Sequence, residues 1–441
     1  MSFVRLIPGG ARAAGAVSLF VVSVLSTLTA PTLASPLPPG AELPPLKLEE
    51  LLAGLDAGSA ELAARRLEAA AAQERPTQAR ALEDPSLSVE LWQAPFDVSR
   101  VPVMFTLRQP LPGPGKLKAR VAVAAPEVAA ASAASQNSRR NLRLELTRAY
   151  FDYRLAVRTG AVLRQSQQLL GTIVSAVNIR YRVGKAELAE LLRAQEAQSN
   201  QGNQLLDVER ERDIAAATIN VLLGRPPGDP LGPPVTAPTE TSTTSLPAPS
   251  QLTAWAIAHR PDGAALRAAL AISQARGALA RAERAPDLAL WAGAMAMLRG
   301  GEHTFTVGMQ ASIPSFSLVR SGAAMREAQA QGAAQRELLR QLETRIAGEI
   351  HTTLLRLETA RRHLRLHEQT TIPLAEQTAK AAQLGYQNGR TDLVLLLDAV
   401  RTLFDHQLEY ERFDAEYGQR LGELEAVLGA PLAALASGGR S

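Results

Sequence analysis

Residues 386–398 read YQNGRTDLVLLLD, and residues 181–193 read YRVGKAELAELLR. With Gly184 aligned on Gly389, each copy has a tyrosine three positions before the glycine, a carboxylate three positions after it, and then leucines at helical spacing. Glycine between two helices permits the positive φ that often ends a helix. Each copy reaches a Leu-Gly step about forty residues later, so the spacing predicts a duplicated helix–turn–helix architecture.

Composition favours long helices and excludes several classes of function. Alanine is abundant and aromatic residues make up only 4% of the 441 residues. The formal net charge is +4, and arginines are interspersed with acidic residues along helical stretches. That pattern is typical of solvated helix faces, so no nucleic-acid partner is expected. The chain has no cysteine, which excludes disulfides, thiolate sites and lipidation at a cysteine.

The first 34 residues have the pattern of a secretory signal peptide. Arg5 and Arg12 precede an apolar segment, and Thr32-Leu33-Ala34 offers a small-x-small cleavage site. The alternative is a retained membrane anchor, but the apolar core is short, so cleavage after Ala34 is expected. No later segment has eighteen uninterrupted apolar residues, so a mature chain inserted in a membrane would have to use β-strands.

The rest of the chain divides into two similar repeats, residues 35–223 and 251–429. A Pro-rich linker without helix or core, 224–250, separates them, and 430–441 form a tail. Each repeat has the order helix, β-hairpin, long helix, glycine turn, helix. The predicted elements of the first are 48–73, 86–109, 116–182, the turn at 184 and 187–223; those of the second are 252–285, 287–313, 319–384 with an interruption at Pro373, the turn at 389 and 392–428.

Both hairpins alternate apolar and polar residues with period two, which predicts strands whose faces differ. Pro110 and Pro314 are expected to end their strands. Four strands of transmembrane length cannot close a barrel, so a barrel would have to be shared, with eight strands from a dimer or twelve from a trimer. Trp92 and Trp291 either join an aromatic belt at the membrane interface or simply pack in the fold.

The duplicated order resembles the bacterial outer-membrane efflux protein family, the TolC-like channels. Local matches are Asp84-Pro85-Ser86-Leu87, Ala285-Pro286-Asp287-Leu288, Gln109-Pro110-Leu111-Pro112 with Gly115-Lys116, and the two glycine turns. The resemblance implies a mainly α chain with a small β part: a homotrimer whose four strands per chain share an outer-membrane β-barrel in contact with lipid, above a periplasmic α-barrel. It also implies a periplasmic adaptor and an inner-membrane pump, here most similar to the resistance-nodulation-division systems for metal cations or drugs.

The resemblance also implies site residues. It places adaptor docking at the periplasmic tip formed by Val183, Gly184, Lys185, Asn388, Gly389 and Arg390. Relatives ring the narrow periplasmic mouth with acidic residues, and Asp398 matches one such position, while the usual acidic position six after the glycine is Leu395. A more apolar constriction of Leu395 and Asp398 is therefore expected. The alternative for Asp398 is an ion pair on the helix surface with Arg401 or Arg390.

Other constellations predict no enzyme, cofactor or metal site. His363 and His367 are four apart on one helix, but two ligands without a third are weak evidence for Zn²⁺ or Ni²⁺. Met295 and Met297 share a strand face and are better explained by packing or lipid contact than by Cu(I). No phosphate-binding loop and no nucleophile–base arrangement is present.

The function predicted from these patterns is a passive outer-membrane exit channel of a tripartite efflux pump for small molecules or metal cations. One alternative is the channel of a type I protein secretion system. Another, from a different class, is a periplasmic adaptor or a coiled-coil scaffold. Adaptors carry one helical hairpin between β-rich halves, whereas this sequence predicts two helical hairpins and two strand pairs.

Overall fold

The computed structural model describes residues 43–91, 102–235, 247–297, 303–312, 314 and 317–432. The signal peptide, Trp92 and most of the tail lie outside these residues. Within them the helices are α1 Leu48–Gly58, α2 Ala60–Gln73, α3 Arg75–Arg80, α4 Lys116–Arg182, α5 Leu188–Leu222, α6 Pro249–His259, α7 Pro261–Ala282, α8 Ser317–Leu366, α9 Ile372–Gln387 and α10 Leu393–Leu428. The strands are β1 Ser86–Leu91, β2 Pro102–Leu111, β3 Leu288–Met297 and β4 Thr304–Ala311.

The long helix α4 is the element on which the described helices are assembled. It has 67 residues, about 100 Å at 1.5 Å per residue, and it tolerates Pro126 in its interior. It contacts α2, α3, α5, α7 and α10. None of the described helices is both long and apolar enough to cross a membrane.

The shorter helices α1 and α5 meet end to end beside the long one. At the junction of α1 and α5, a Cβ on Gly58 would lie 2.6 Å from the carbonyl oxygen of Leu223. A Cβ on Gly224 would lie equally close to the carbonyl oxygen of Gly58. Only glycine allows this approach of two backbones. Leu55 and Ile219, both fully buried, seal the junction.

Two helices that the sequence pattern predicts to be continuous are divided. The helix expected over 48–73 ends at Gly58, because Ser59 takes an extended conformation and its hydroxyl accepts a hydrogen bond from the Leu62 amide. The helix expected over 252–285 is interrupted at Arg260, where the following Pro261 disfavours helical geometry. Pro373, by contrast, does not break its helix: a π-helical turn, His367–Thr371, joins α8 to α9.

The Pro-rich linker is not wholly without structure, which corrects the prediction for 224–250. Leu46 pairs with Pro234 in a short bridge, and Tyr153 donates a hydrogen bond to the carbonyl oxygen of Gly232 over 3.2 Å. Leu231 packs against the buried core of α1, α4 and α5. Helix α6 then begins at Pro249, inside the predicted linker. Residues 236–246 lie outside the described part.

The four strands form one antiparallel sheet in the order β1-β2-β3-β4. The sequence predicted two separate hairpins, but β2 and β3 pair along ten residues, from Pro102 opposite Met297 to Leu111 opposite Leu288. Pro110 does not end β2, which continues to Leu111 with Pro110 opposite Ala289. The two repeats therefore share one sheet.

Candidate functional site

The two glycine turns have the same backbone geometry. Gly184 has a φ of 69° and Gly389 a φ of 68°. The Lys185 amide donates to the carbonyl oxygen of Arg180 at 2.8 Å, and the Arg390 amide donates to that of Gly385 at 2.9 Å. Each is the six-residue hydrogen bond of a Schellman motif, which ends a helix and reverses the chain.

The structure brings both turns to the same end of the helices. Arg180, before the first turn, donates a hydrogen bond of 2.7 Å to the carbonyl oxygen of Tyr386, before the second. The Arg180 guanidinium also lies 4.6 Å from the centroid of the Tyr386 ring, within the range of a cation–π contact. Burial of the Tyr386 ring raises the pKa of its hydroxyl. The sequence pattern includes Tyr386 but gives no sign of Arg180, whose partner lies 206 residues away.

All six residues expected at the tip are exposed, namely Val183, Gly184, Lys185, Asn388, Gly389 and Arg390. Val183 is 63% exposed. Within the described chain, neither Lys185 nor Arg390 forms an ion pair. The tip therefore presents apolar surface and two cationic side chains to solvent.

The aligned carboxylates of the two turns have different roles. Asp392 caps α10, because its side chain accepts a hydrogen bond of 2.9 Å from the Leu395 amide. Glu187 occupies the same position before α5 and makes no such bond. The two copies have therefore diverged in how the outgoing helix begins.

Asp398 and Leu395 lie on the exposed side of α10. They line a groove of about 370 Å³ between α9 and α10, together with Thr371, Leu374 and His406. Asp398 makes no ion pair among the described residues, and Arg401 pairs with Asp405 instead, at 3.5 Å. The surface ion pair considered for Asp398 is thus absent from the described part, and its carboxylate faces open space.

The sheet has one continuous apolar face. Residues directly opposite each other in an antiparallel sheet share a face, and the registers align Val89 with Phe105, Phe105 with Ala294, and Ala294 with Phe305. Most large apolar side chains of this face are 43% exposed or more, namely Leu87, Val89, Leu91, Phe105, Leu107, Leu290, Phe305, Val307 and Met309, whereas Val103 and Leu288 are half-buried.

The opposite face is mainly polar or small, with Ser88, Thr106, Arg108, Gly293 and Thr306 among its members. Trp291 lies on this face over Gly308, where a Cβ would come within 2.6 Å of the indole ring. Trp291 therefore packs inside the polar face and does not belong to an aromatic belt on the apolar one. The sheet separates apolar from polar surface as a membrane strand does.

The two histidines singled out on α8 and its π-helical end both pack against Phe413 of α10, and the ring centroids of His367 and Phe413 are 5.4 Å apart. His363 stacks on Phe413 with ring centroids 4.4 Å apart. His367 is buried and faces α10.

Comparison with known proteins agrees with this architecture. The CzcC protein of Cupriavidus metallidurans, described as a cobalt-zinc-cadmium resistance protein, is 23% identical over 317 residues, which cover 71% of this chain and 74% of that protein. The outer membrane protein VceC of Vibrio cholerae is 19% identical with a TM-score of 0.74, covering 87% of this chain and 96% of that one. The MtrE outer membrane channel of Neisseria gonorrhoeae, solved in its open state, is 17% identical with a TM-score of 0.73, covering 87% and 89%.

The two structural likenesses establish the fold. The model of the outer membrane efflux protein family matches the chain twice, over residues 51–225 and 252–430, and so covers well over half of it. The chain therefore belongs to the outer membrane efflux protein family, whose members are channels and not enzymes, as the resemblance in sequence predicted.

Proposed function

We propose that this chain is the passive exit channel of a tripartite efflux pump. Three copies form a twelve-stranded barrel in the outer membrane and a helical tunnel in the periplasm. An inner-membrane pump supplies the energy, and a periplasmic adaptor binds the tips of the helices. The observation that carries the proposal is the exposed apolar sheet face, joined to helices about 100 Å long whose turns both lie at one end.

The sheet supports the assembly in two ways. An exposed apolar face of this extent needs a covering, and lipid provides one for strands that carry apolar residues on one side only. Within the described residues, β1 and β4 are the two edge strands of the sheet. Edge strands expose unpaired backbone groups, which is not tolerated in hydrocarbon, and closure with two further copies removes both edges.

We propose metal cations or small molecules as the cargo. The name of CzcC supports metal cations, because that relative covers 71% of this chain. A passive tunnel needs no high-affinity site for its cargo. Leu395 and Asp398, the residues proposed to face the lumen, are suited to selecting the cargo by size and charge.

The tip residues support adaptor docking. Val183 provides exposed apolar surface, and Lys185 and Arg390 provide unpaired cations in the described chain. In a trimer these features recur three times at the periplasmic end. A partner with apolar and acidic groups would match them.

Replacing Gly184 and Gly389 together with valine should abolish crosslinking of the channel to its adaptor in cells. No atom lies within 4 Å of a Cβ at either position, so the new side chains do not clash. They are strained by the positive φ, at about 1–2 kcal/mol each, and this strain reshapes the turns. Trimers should remain intact.

Gly348→Val is the matched control, because this residue on α8 is exposed and also has no atom within 4 Å of a Cβ. It should leave crosslinking unchanged. Wild-type crosslinking in the double variant with intact trimers would reject docking at the turns.

Asp398 and Leu395 support a constriction at the periplasmic mouth. A trimer places three copies of an exposed, unpaired carboxylate around one axis, which attracts cations to the pore. Apolar Leu395 lines the same groove as Asp398. The groove between α9 and α10 leaves both side chains free to face the lumen.

Purified trimers in a planar lipid bilayer should form ion-conducting pores, and Asp398→Ala should raise single-channel conductance or reduce block by divalent cations. Asp405→Ala is the control, since that carboxylate is paired with Arg401. Absence of pores from wild-type trimers would contradict the channel function. Pores with unchanged conductance and block in Asp398→Ala would reject only the role of Asp398.

A further inference from the structure

A cluster of two histidines and one glutamate lies where the π-helical turn crosses α10. It consists of His367 from the turn and His406 and Glu409 from α10, and their nearest ligand atoms all lie within 4.8 Å of one another. The Glu409 carboxylate is 3.2 Å from Nδ1 of His406 and 3.7 Å from Nε2 of His367. Two helices that are distant in sequence thus direct three ligand-type side chains at one point.

His367 lacks the hydrogen bonds that a buried imidazole needs. Only 7% of the residue is exposed. Its Nδ1 atom is buried and has no hydrogen-bond partner in the described part of the chain. The distance of 3.7 Å from Nε2 to Glu409 is too long for a hydrogen bond. An ion in the cluster would bind Nε2, the ring atom that faces Glu409 without a hydrogen bond, and would offset part of the free-energy cost of burying this ring.

The backbone at His367 is also unusual. The Ile372 amide donates to the carbonyl oxygen of His367, five residues earlier, where an α-helix would use the fourth. Pro373 explains part of this, because its ring clashes with the carbonyl four residues before it and the wider turn relieves the clash. The wider turn also holds His367 toward α10. Single π-helical turns of this kind occur frequently at functional sites.

The chemistry of the cluster selects a class of ion. Two imidazoles and one carboxylate form a ligand set that zinc accepts, with a fourth position left open. Imidazole also suits cobalt, nickel and copper, whereas magnesium and calcium prefer oxygen ligands.

We infer that His367, His406 and Glu409 bind one divalent transition-metal ion of the zinc class and thereby fasten the junction of α8 and α9 to α10. Ligand atoms around a tetrahedral zinc ion are about 3.3 Å apart, so small side-chain rotations close the present cluster to bonding geometry. His406 and Glu409 are partly exposed, which gives an ion access. The site is independent of the cargo and would exist even if the channel exported only organic molecules.

The test is equilibrium binding of Co²⁺ to the mature protein, purified without a polyhistidine tag as trimers in detergent. Visible absorption reports four-coordinate Co²⁺, and Zn²⁺ should displace it. The wild type should bind one ion per chain. His406→Ala and Glu409→Gln should each weaken binding roughly tenfold or more.

His363→Ala is the matched control, because His363 lies one helical turn before His367 but stacks on Phe413 and is not part of the cluster. It should bind Co²⁺ as the wild type does. Circular dichroism and gel filtration check that each variant folds. If His406→Ala fails this check, Glu409→Gln decides, since its side chain is about half exposed. Absence of saturable binding by the wild type, or equal binding by Glu409→Gln, would overturn the inference.

Discussion

Asp414→Ala should lower the free energy of unfolding by about 3–5 kcal/mol, since breaking a buried ion pair on one side leaves an uncompensated charge. Asp414 on α10 pairs with Arg154 on α4 at 2.5 Å, and both side chains are only 6% exposed. One helical turn away, Arg158 binds Glu411 with two contacts of 2.9 and 3.0 Å. These pairs join α4 of the first repeat to α10 of the second. The two helices are not neighbours in sequence, so the loss of the pairs weakens a contact between the repeats.

Thermal unfolding of the trimer in detergent, followed by circular dichroism, measures this effect. For a cooperative unit of this size, about 4 kcal/mol corresponds to a midpoint about 5 °C lower. Glu358→Ala is the matched control: its pair with Arg362 is exposed, with 52% and 77% of the side chains accessible. Exposed pairs contribute about 0–1 kcal/mol. An equal decrease of the unfolding midpoint in both variants would show that burial of the Arg154–Asp414 pair does not add to its contribution to stability.

A double change separates the ion pair from other contacts of Asp414. Replacing a whole buried pair with apolar residues of similar volume is often neutral. Arg154→Met combined with Asp414→Leu should therefore recover most of the stability lost in Asp414→Ala. If the double variant is less stable than Asp414→Ala, the proposed origin of the effect is wrong.

Val307→Arg should strongly reduce the amount of folded trimer in the outer-membrane fraction. Val307 is 84% exposed at the middle of β4, on the apolar face. If that face contacts lipid, an arginine near the middle of the bilayer costs about 2–4 kcal/mol in each chain. The yield of trimer after extraction in mild detergent, compared with the wild type, measures the effect.

Thr306→Arg is the matched control, because Thr306 is the preceding residue and lies on the polar face, opposite Gly293. On that side an arginine would meet water in the lumen and should be tolerated. Equal yields of the two variants would contradict the assignment of the apolar face to lipid. A lower yield for Thr306→Arg would indicate that the faces are reversed.

The sequence could predict those parts of the fold that depend on local patterns. Helix α4 follows from a helical pattern over Lys116–Arg182 in which Pro126 is the one strong break, and both turns follow from glycine after a helix. The break at Arg260 was also readable, since a residue before proline disfavours helix, but the apolar pattern on both sides concealed it. The sequence also indicates the break at Ser59, because Gly58 is followed there by a residue that caps helices well.

Contacts between distant segments could not be predicted in this way. Arg154 and Asp414 are 260 residues apart, and neither has a neighbour in sequence that identifies its partner. The pairing of β2 with β3 could be predicted only by knowing that the two repeats lie side by side. For the same reason the sequence indicates no third ligand for His367, because His406 and Glu409 reach it from a different helix.

The unequal capping of the two turns has a consequence for stoichiometry. Asp392 fixes the start of α10, whereas Glu187 leaves the start of α5 without a side-chain cap. In the proposed trimer, six hairpin ends form a ring, but they are of two kinds that alternate. A partner subunit with one type of binding surface would therefore meet two environments of unequal affinity, and the ring would fill in two stages of three.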